Sequence, residues 1–522
     1  MLAAATPPAP SFVAAYLDGQ LNDFFELRPG DVDAALELPR AAERGPLVDA
    51  LTRYARSLGA PDAVFRNLER LRHPRARAVV TGQQTGLLLG PTYTLSKAVT
   101  AVALARRLDS AERPVVPLFW LATQDHDAHE MDHCYLLDGS ETLRRLAVPL
   151  PAGVAVGRAR FTTAMLAAVE DGLASLTPPP RFLGEVRALL RDTAADAATY
   201  PDWFGAILTR LLGEQGLVLV DPLRADVAAL FRDVLAAELA DAGHTPHAVN
   251  AAGRRLKAIG FEAQLGRGAD ATNLFVEVDG RRVLLRRRGA GFTAGERDFT
   301  GPELVAMLGD DPTVVTPAAG LRPVVQDALL PTAVFVLGPG ELRYVAQLRD
   351  VYRFHDVPMP LAWPRASATV LEPPVARLLA KYGLDAAGYC AHPERAEEAA
   401  LLALHGHAAG FAASAAAVEA QVVGMLEAVN GIDPTLDRAV RKGGERLAAT
   451  LERLRHKVGS ALARTDATTA RQFDRLRAHL LPGGEKAERV LSPLSHALKF
   501  GVRPVVDLFL TLEPSGEQEL RV

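Results

Sequence analysis

Asp125, His126 and Asp127 stand side by side inside TQDHDAHEMDH, the run from Thr123 to His133 and the densest titratable cluster of the chain. A carboxylate beside an imidazole raises its basicity and fixes its tautomer, so this trio suits acid–base chemistry. The plain alternative is a polar loop whose Asp125 or Asp127 caps the next helix. Within the run, His129-Glu130-Met131-Asp132-His133 fits H-E-x-x-H, which sets two histidines one helical turn apart for zinc with the glutamate as base. Such a site needs a sustained helix and a third ligand, whereas CYLLDG follows at once and reads as strand and turn. No metal is assigned.

Two other stretches carry polar groups suited to a small ligand. VVTGQQTGLLLGP, from Val79 to Pro91, is a β-branched run followed by a glycine-and-glutamine loop, with Tyr93, Thr94 and Lys97 just beyond. Gly82 and Gly86 allow backbone turns closed to other residues, and a loop that opens a helix offers free N–H groups to a carboxylate or phosphate. From Leu321 to Arg365 lie Arg322, Gln326, Asp327, the loop Gly338-Pro339-Gly340-Glu341, Tyr344 and Arg365. Arginines at 322 and 365 could fork onto carboxylate or phosphate oxygens, or serve in structural ion pairs. No P-loop is present, since Gly90 to Lys97 lacks the second glycine before lysine, and the glycines around Arg267 lack a strand-to-helix setting.

These groups need elements to hold them. Short β-like runs at Ala78–Thr81, Val115–Ala122, Leu217–Asp221 and Ala333–Leu337 alternate with helical patterns, which predicts a mostly parallel, doubly wound α/β sheet. Each run ends in a polar or glycine loop: TGQQTG, TQDHD, DPLR and GPGELRY. Open α/β sheets place ligands at such strand ends. Asp279-Gly280 separates two strand-like runs within Asn273–Arg288 and reads as a β-hairpin in an insertion. From about Leu384 the pattern becomes a heptad seam running through Leu404, Phe411, Val418 and Met425 to Val429, stopping at Asn430-Gly431. Asp433 and Pro434 then open a second helix with a seam from Leu447 to Leu480, whose spacings between Val458 and Thr469 predict a local loss of left-handed supercoil. Two such helices make an antiparallel hairpin long enough to invite a partner chain. Past Pro482-Gly483-Gly484, a last apolar helix can return to the core.

Composition narrows the classes. With 522 residues, 23% of them charged, and a net charge of −4, the chain can bury a large core and has no basic field for nucleic acid. Cys134 and Cys390 give no disulfide framework, which suits a reducing cytoplasm. The start, MLAAATPPAPSF, lacks the make-up of a signal peptide, and the alanine-rich Ala399–Leu426 carries charged and histidine side chains unsuited to a membrane span.

Taken in order, VVTGQQTGLLLGPTYTLSKA, VVPLFWLATQDHDAHEMDH, GLVLVDP, RPVVQDALLPTAVFVLGPGELRY and PMPLAWPRASAT resemble the cysteine ligase family of bacillithiol biosynthesis (BshC), over nearly the whole chain and including the helical hairpin. The resemblance implies a Rossmann-like, nucleotidyltransferase-type core with connecting-peptide insertions, plus an antiparallel α-helical coiled-coil domain that pairs two subunits. The core would span residues 1–382 with an insertion at about 240–300, the coiled coil 383–482, and the returning C-terminal helix 483–522. The implied reaction joins cysteine to the amino group of glucosaminyl malate, giving bacillithiol. Joining a carboxylate to an amine is uphill in water, so ATP is the expected source of activation.

The family's crevice motifs fall here on Gln83, Gln84, Tyr93, Thr94, Asp125, His126, Asp127, Glu130, His133, Glu341, Tyr344 and Arg365. His126, Asp125 and Asp127 are the expected catalytic groups, and the remainder the expected substrate-binding groups. Gly82, Gly86, Lys97 and Arg322 are the expected ATP-binding set. Where the family motif usually reads EDHD this chain has Gln124, so a carboxylate there is not essential, and His129 sits at a position the family does not hold as histidine. The rival expectation is a non-catalytic scaffold that senses a small anion and dimerises through its coiled coil.

Overall fold

The computed structural model describes residues 11–40, 44–430 and 432–522. The N-terminal stretch through Pro10 and Gly431 of the expected helix–helix turn lie outside them. Two compact units are present: Ser11–Ala368 with Glu488–Leu520, and Thr369–Ala487 with Arg521–Val522.

The first unit includes the strands β1 (Arg77–Gln83), β2 (Val115–Leu121), β3 (His133–Leu137), β4 (Leu143–Ala147), β5 (Val218–Val220), β6 (Ala271–Val278), β7 (Arg281–Arg288), β8 (Gly291–Ala294), β9 (Arg297–Phe299), β10 (Val315–Pro317), β11 (Thr332–Leu337) and β12 (Leu361–Pro364). Five of them pair in parallel in the order β12-β11-β1-β2-β5. Numbered within this sheet, that is 5-4-1-2-3, the Rossmann order, whose direction reverses between β1 and β11. The α/β, Rossmann-like expectation holds. The period of two explains the burial: Ala78, Val80, Leu118, Trp120, Phe335 and Leu337 feed one apolar core, while Val79, Val115, Val334 and Val336 feed another on the opposite face.

All four expected strands form. The fifth, β12, ends at Pro364 on a sheet edge, where a missing N–H costs no ladder bond. Gly82 and Gly86 correct the expectation of special turns, since neither has a positive φ. Gly82 is required by close approach instead: a Cβ there would lie 2.6 Å from the Trp120 carbonyl oxygen on β2. The left-handed backbone falls on Leu88 (φ 49°), Leu89 (φ 70°) and Gly90 (φ 61°). Leucines in this region are strained, and the C-terminal segment secures them. The Ser492 hydroxyl donates to the Leu88 carbonyl at 2.7 Å, and the Thr92 N–H and hydroxyl both donate to the Leu491 carbonyl.

A second sheet, β10-β6-β7-β8-β9, is antiparallel. Its first hairpin turns at Asp279 (φ 49°) and Gly280 (φ 74°), the paired positive φ of a type I′ turn.

In the second unit the helices Ala408–Asn430 and Asp437–Thr465 pack together. By length and composition alone Ala408–Asn430 could cross a membrane. Only Val422 and Leu426 of it are buried, and Met425, Leu447 and Leu454 are about half exposed. The second helix does not run unbroken to Leu480. It stops at Thr465, and Asp466 caps a new helix, Ala467–Leu480, by accepting from the Thr469 N–H at 3.0 Å and from its hydroxyl at 2.7 Å. A side-chain cap resolves the spacing that read as a change of supercoil.

Candidate functional site

The loops after β1, β2 and β11 meet over the reversal point of the parallel sheet and enclose a cavity of about 500 Å³. Lys97, on the helix Tyr93–Leu108, lies beneath it with its side chain only 2% exposed. Its ammonium donates to the Gly82 carbonyl and to Gln83 Oε1, each at 2.8 Å, and pairs with Glu341 Oε2 at 2.5 Å. Three protons meet three acceptors, so this cation is spent inside the protein. Burial lowers the Lys97 pKa and Glu341 opposes that shift. Glu341 also accepts from the Gly338 N–H at 2.8 Å, capping the helix Pro339–Val345. One buried lysine thus ties together the strand-end loops on both sides of the reversal point.

The loop after β2 forms the facing wall. Asp125 Oδ1 accepts from the backbone N–H of His126 at 2.7 Å and of Asp127 at 3.3 Å, a local turn that aims Oδ2 at the Gln84 amide, 2.8 Å away. The same Gln84 amide donates to Glu130, so it bridges two carboxylates. Gln83 sits the other way round, its oxygen on Lys97 and its nitrogen 3.4 Å from the Tyr93 hydroxyl. Burial raises the Tyr93 pKa, and the neighbouring Glu341 adds to that.

His126 corrects the expected acid–base trio. Its Nδ1 is 3.9 Å from Asp125 but only 2.9 Å from Nη1 of Arg282, on β7 of the second sheet. Burial lowers the His126 pKa and the Arg282 charge lowers it further, outweighing Asp125 and Asp127. The imidazole is therefore less basic than an ordinary histidine, not more.

Arg282 sits over the Phe275 ring at 3.8 Å, a diagonal contact on one face of the β6–β7 hairpin. Its Nε donates to the Thr316 hydroxyl at 2.9 Å and its Nη2 to the Pro317 carbonyl at 2.8 Å. Burial pushes its pKa down to about 10, with Asp125 opposing. Arg322 is similar: it donates to Gln326 Oε1 and to the Tyr344 hydroxyl, both at 3.0 Å, and both neutral. Arg365 differs. It forks onto Glu488 at 2.9 and 2.8 Å, a pair with side chains 4% and 7% exposed, and lies 5.6 Å from the Tyr93 ring. Burial opposes ionisation of Glu488, yet its bonds from Arg365, Ser367 and the Ala368 N–H hold its pKa below the ordinary value.

Of the expected residues, Gly82, Gln83, Gln84, Tyr93, Lys97, Asp125, His126, Arg322, Glu341, Tyr344 and Arg365 line the cavity. Glu130 is exposed and reaches Gln84 from the rim. Asp127 is exposed and does not line it, and Gly86 and Thr94 lie beyond its wall, Thr94 fully buried. His133 also lies outside, on β3, bonded to Asp132 at 2.8 Å. The helix holding His129 ends at Met131 and His129 is 92% exposed, so the two histidines of H-E-x-x-H share no helical face. In the corner expected to bind ATP, Gly82 turns its carbonyl to Lys97 and Gly86 donates its N–H to the Gln84 carbonyl. Sequence reasoning missed Arg282, Phe275, Trp120 and Arg489, which line the same cavity. Only knowledge of which face of the hairpin meets the parallel sheet could have found Arg282.

The cavity carries Lys97, Arg282, Arg322, Arg365 and Arg489 against Asp125 and Glu341, so it favours an anion. Two of the cations, Arg282 and Arg322, hydrogen-bond only to neutral partners.

Comparison with known proteins agrees along the chain. The profile described as bacillithiol biosynthesis BshC, N-terminal Rossmann-like domain, matches residues 3–366, and that of the BshC C-terminal coiled-coil domain matches residues 368–520. A Thermus thermophilus protein named "Putative cysteine ligase BshC" is 41% identical over 464 residues, covering 87% of this chain and 90% of its own length. Proteins of the same name from Symbiobacterium thermophilum and Geobacillus kaustophilus are 34% and 33% identical, over 90% and 91% of this chain and 88% and 90% of theirs. The Rossmann-ordered sheet, the helical arm and these matches together show that the chain belongs to the BshC family of bacillithiol biosynthesis.

Proposed function

We propose that this chain is an amide-forming ligase that adds L-cysteine to the glucosamine amine of glucosaminyl malate, giving bacillithiol, in the cavity over the β1/β11 reversal point. The observation that supports it is the convergence there of a hydrogen-bonded carboxylate, Asp125, with two cations, Arg282 and Arg322, whose bonding partners are neutral. ATP would supply the activation that turns a cysteine carboxylate oxygen into a leaving group. The residues present fit an anionic group of that kind: three of the five N–H groups of Arg282 are used within the protein, which leaves two for oxygens in the cavity. Lys97 holds the loops rather than the ligand. Asp125 is placed to take the proton released when the amine nitrogen forms its bond to the cysteine carbonyl carbon. Gln83, Gln84, Tyr93, Glu341, Tyr344 and Arg365 shape the cavity for the two substrates. The chain acts in the cytoplasm as a homodimer paired through its helical hairpin, whose apolar side chains Met425, Leu447 and Leu454 stay about half exposed in one copy.

The test is direct. Purified protein given cysteine, glucosaminyl malate and ATP should release bacillithiol with matching nucleotide turnover, and should sediment at twice the 55.8 kDa chain mass. Neither thiol nor nucleotide product, with small-anion binding intact, would favour the scaffold reading.

A further inference from the structure

The ring of His126 faces Arg282 across a hydrogen bond that admits one arrangement of protons. A guanidinium has five N–H groups and no acceptor, and it stays protonated at neutral pH. At 2.9 Å from Nη1, Nδ1 of His126 must therefore be the acceptor. A neutral imidazole that accepts at Nδ1 carries its proton on Nε2. We propose that Arg282 is a positioning residue that fixes His126 as the neutral Nε2–H tautomer, making His126 a hydrogen-bond donor to a substrate oxygen and leaving proton acceptance to Asp125. The assignment of those two roles rests on the ligase reading above; the tautomer does not.

Arg282 is itself rigidly held. Thr316 and Pro317 fix two of its nitrogens and Phe275 packs against its plane, so it cannot swing from His126 without breaking bonds at the edge of the second sheet. The groups that bear on the imidazole are Arg282 from β7, the Phe275 ring from β6 at 5.2 Å, and Asp125 and Asp127 from its own loop. The two aspartates favour the charged ring, whereas burial and Arg282 disfavour it. Of these three charges Arg282 alone opposes the charged ring, so the antiparallel sheet bears on the chemistry of a loop on the parallel one.

The experiment is nitrogen NMR on the full-length protein carrying labelled histidine, with the His126 signals assigned by their loss in His126→Gln. In the parent, Nδ1 should show the unprotonated signature and Nε2 the protonated one, with a titration midpoint below that of a free histidine. Arg282→Met should move that midpoint upward, because the one charge that opposes the aspartates is then gone while burial is unchanged, and Arg282→Lys should keep it near the parent value. A protonated Nδ1 in the parent, or an unmoved midpoint in a folded Arg282→Met chain, overturns the proposal. If Arg282→Met does not fold, an upward shift in Arg282→Lys as large as that expected for methionine overturns it equally. The measurement uses no substrate, so a failed ligase assay leaves its result standing, and a failed tautomer leaves the ligase assay standing.

Discussion

On the ATP-dependent ligase reading proposed above, a Lys97→Met chain should turn over about 10²-fold more slowly than the parent while keeping its fold and its KM for ATP. Methionine replaces the buried stem of the lysine, so the packing beneath the cavity survives. What is lost is the point where the Gly82 carbonyl, Gln83 and Glu341 converge. Gln83 and Glu341 border the cavity, and Glu341 is 24% exposed, so both can turn toward water and recover much of their solvation. The stability cost is consequently modest, but the loops after β1 and β11 lose their common anchor, and displacements near 1 Å are enough for a loss of this size. Steady-state kinetics beside thermal unfolding checks this. A rise in KM for ATP at unchanged kcat would mean instead that Lys97 holds phosphate directly.

Arg365→Met is expected to act chiefly on stability, costing about 3–5 kcal/mol at neutral pH, because it leaves the Glu488 carboxylate buried without its cation. The pH dependence has a definite sign. In the parent, the folded pKa of Glu488 is depressed, so its contribution is present above the unfolded carboxylate value of about 4.3 and is lost as pH falls through the lower folded value. In the variant, burial without Arg365 raises the folded value, and the carboxyl takes up a proton more readily on folding. The deficit is therefore largest at neutral pH and narrows on acidification below about pH 5. Adding Glu488→Gln should recover part of it, and denaturant unfolding of the two single variants and the double completes the cycle. A deficit that stays constant with pH would show that the loss is one of packing alone.

The parts of the fold that the sequence disclosed are those set by local physics. The β-branched runs around Val79, Val115 and Val334 alternate between two cores, and alternation is visible without knowing what lies on either side. Asp279-Gly280 declared its turn because two consecutive positive φ angles are costly for most other pairs. β12 was hidden by Pro358, Pro360 and Pro364, which argue against a strand unless it is known to sit at an edge. The break at Asp466 was hidden because a capping aspartate in a long polar helix looks like any surface charge.

In the candidate site, the loops could be named from strand ends, but the sign of the His126 shift could not. Asp125 and Asp127 are its neighbours in sequence, whereas Arg282 arrives from 156 residues away. Arg322 and Arg365 looked equivalent, and only their partners separate them: a tyrosine hydroxyl for one, a buried carboxylate for the other. Charge near a crevice is legible in a sequence, but its compensation is a property of three-dimensional neighbours.

The residues that hold Leu88, Thr92 and Arg365 in place all lie between Glu488 and Ser492, and they leave the ribosome after the whole of Thr369–Ala487 has been made. The guanidinium of Arg365 is synthesised 123 residues before the carboxylate that neutralises it. While the helical arm is being translated, the α/β unit carries an unpaired cation beside its cavity and, behind the cavity wall, an untethered left-handed loop. It can collapse around the two apolar cores that flank its parallel sheet in that interval, but it reaches its finished form only when the last stretch of chain arrives. A nascent chain arrested within the arm therefore holds every strand of the parallel sheet and still lacks Arg489 of the cavity wall and the residues that secure Leu88, Thr92 and Arg365.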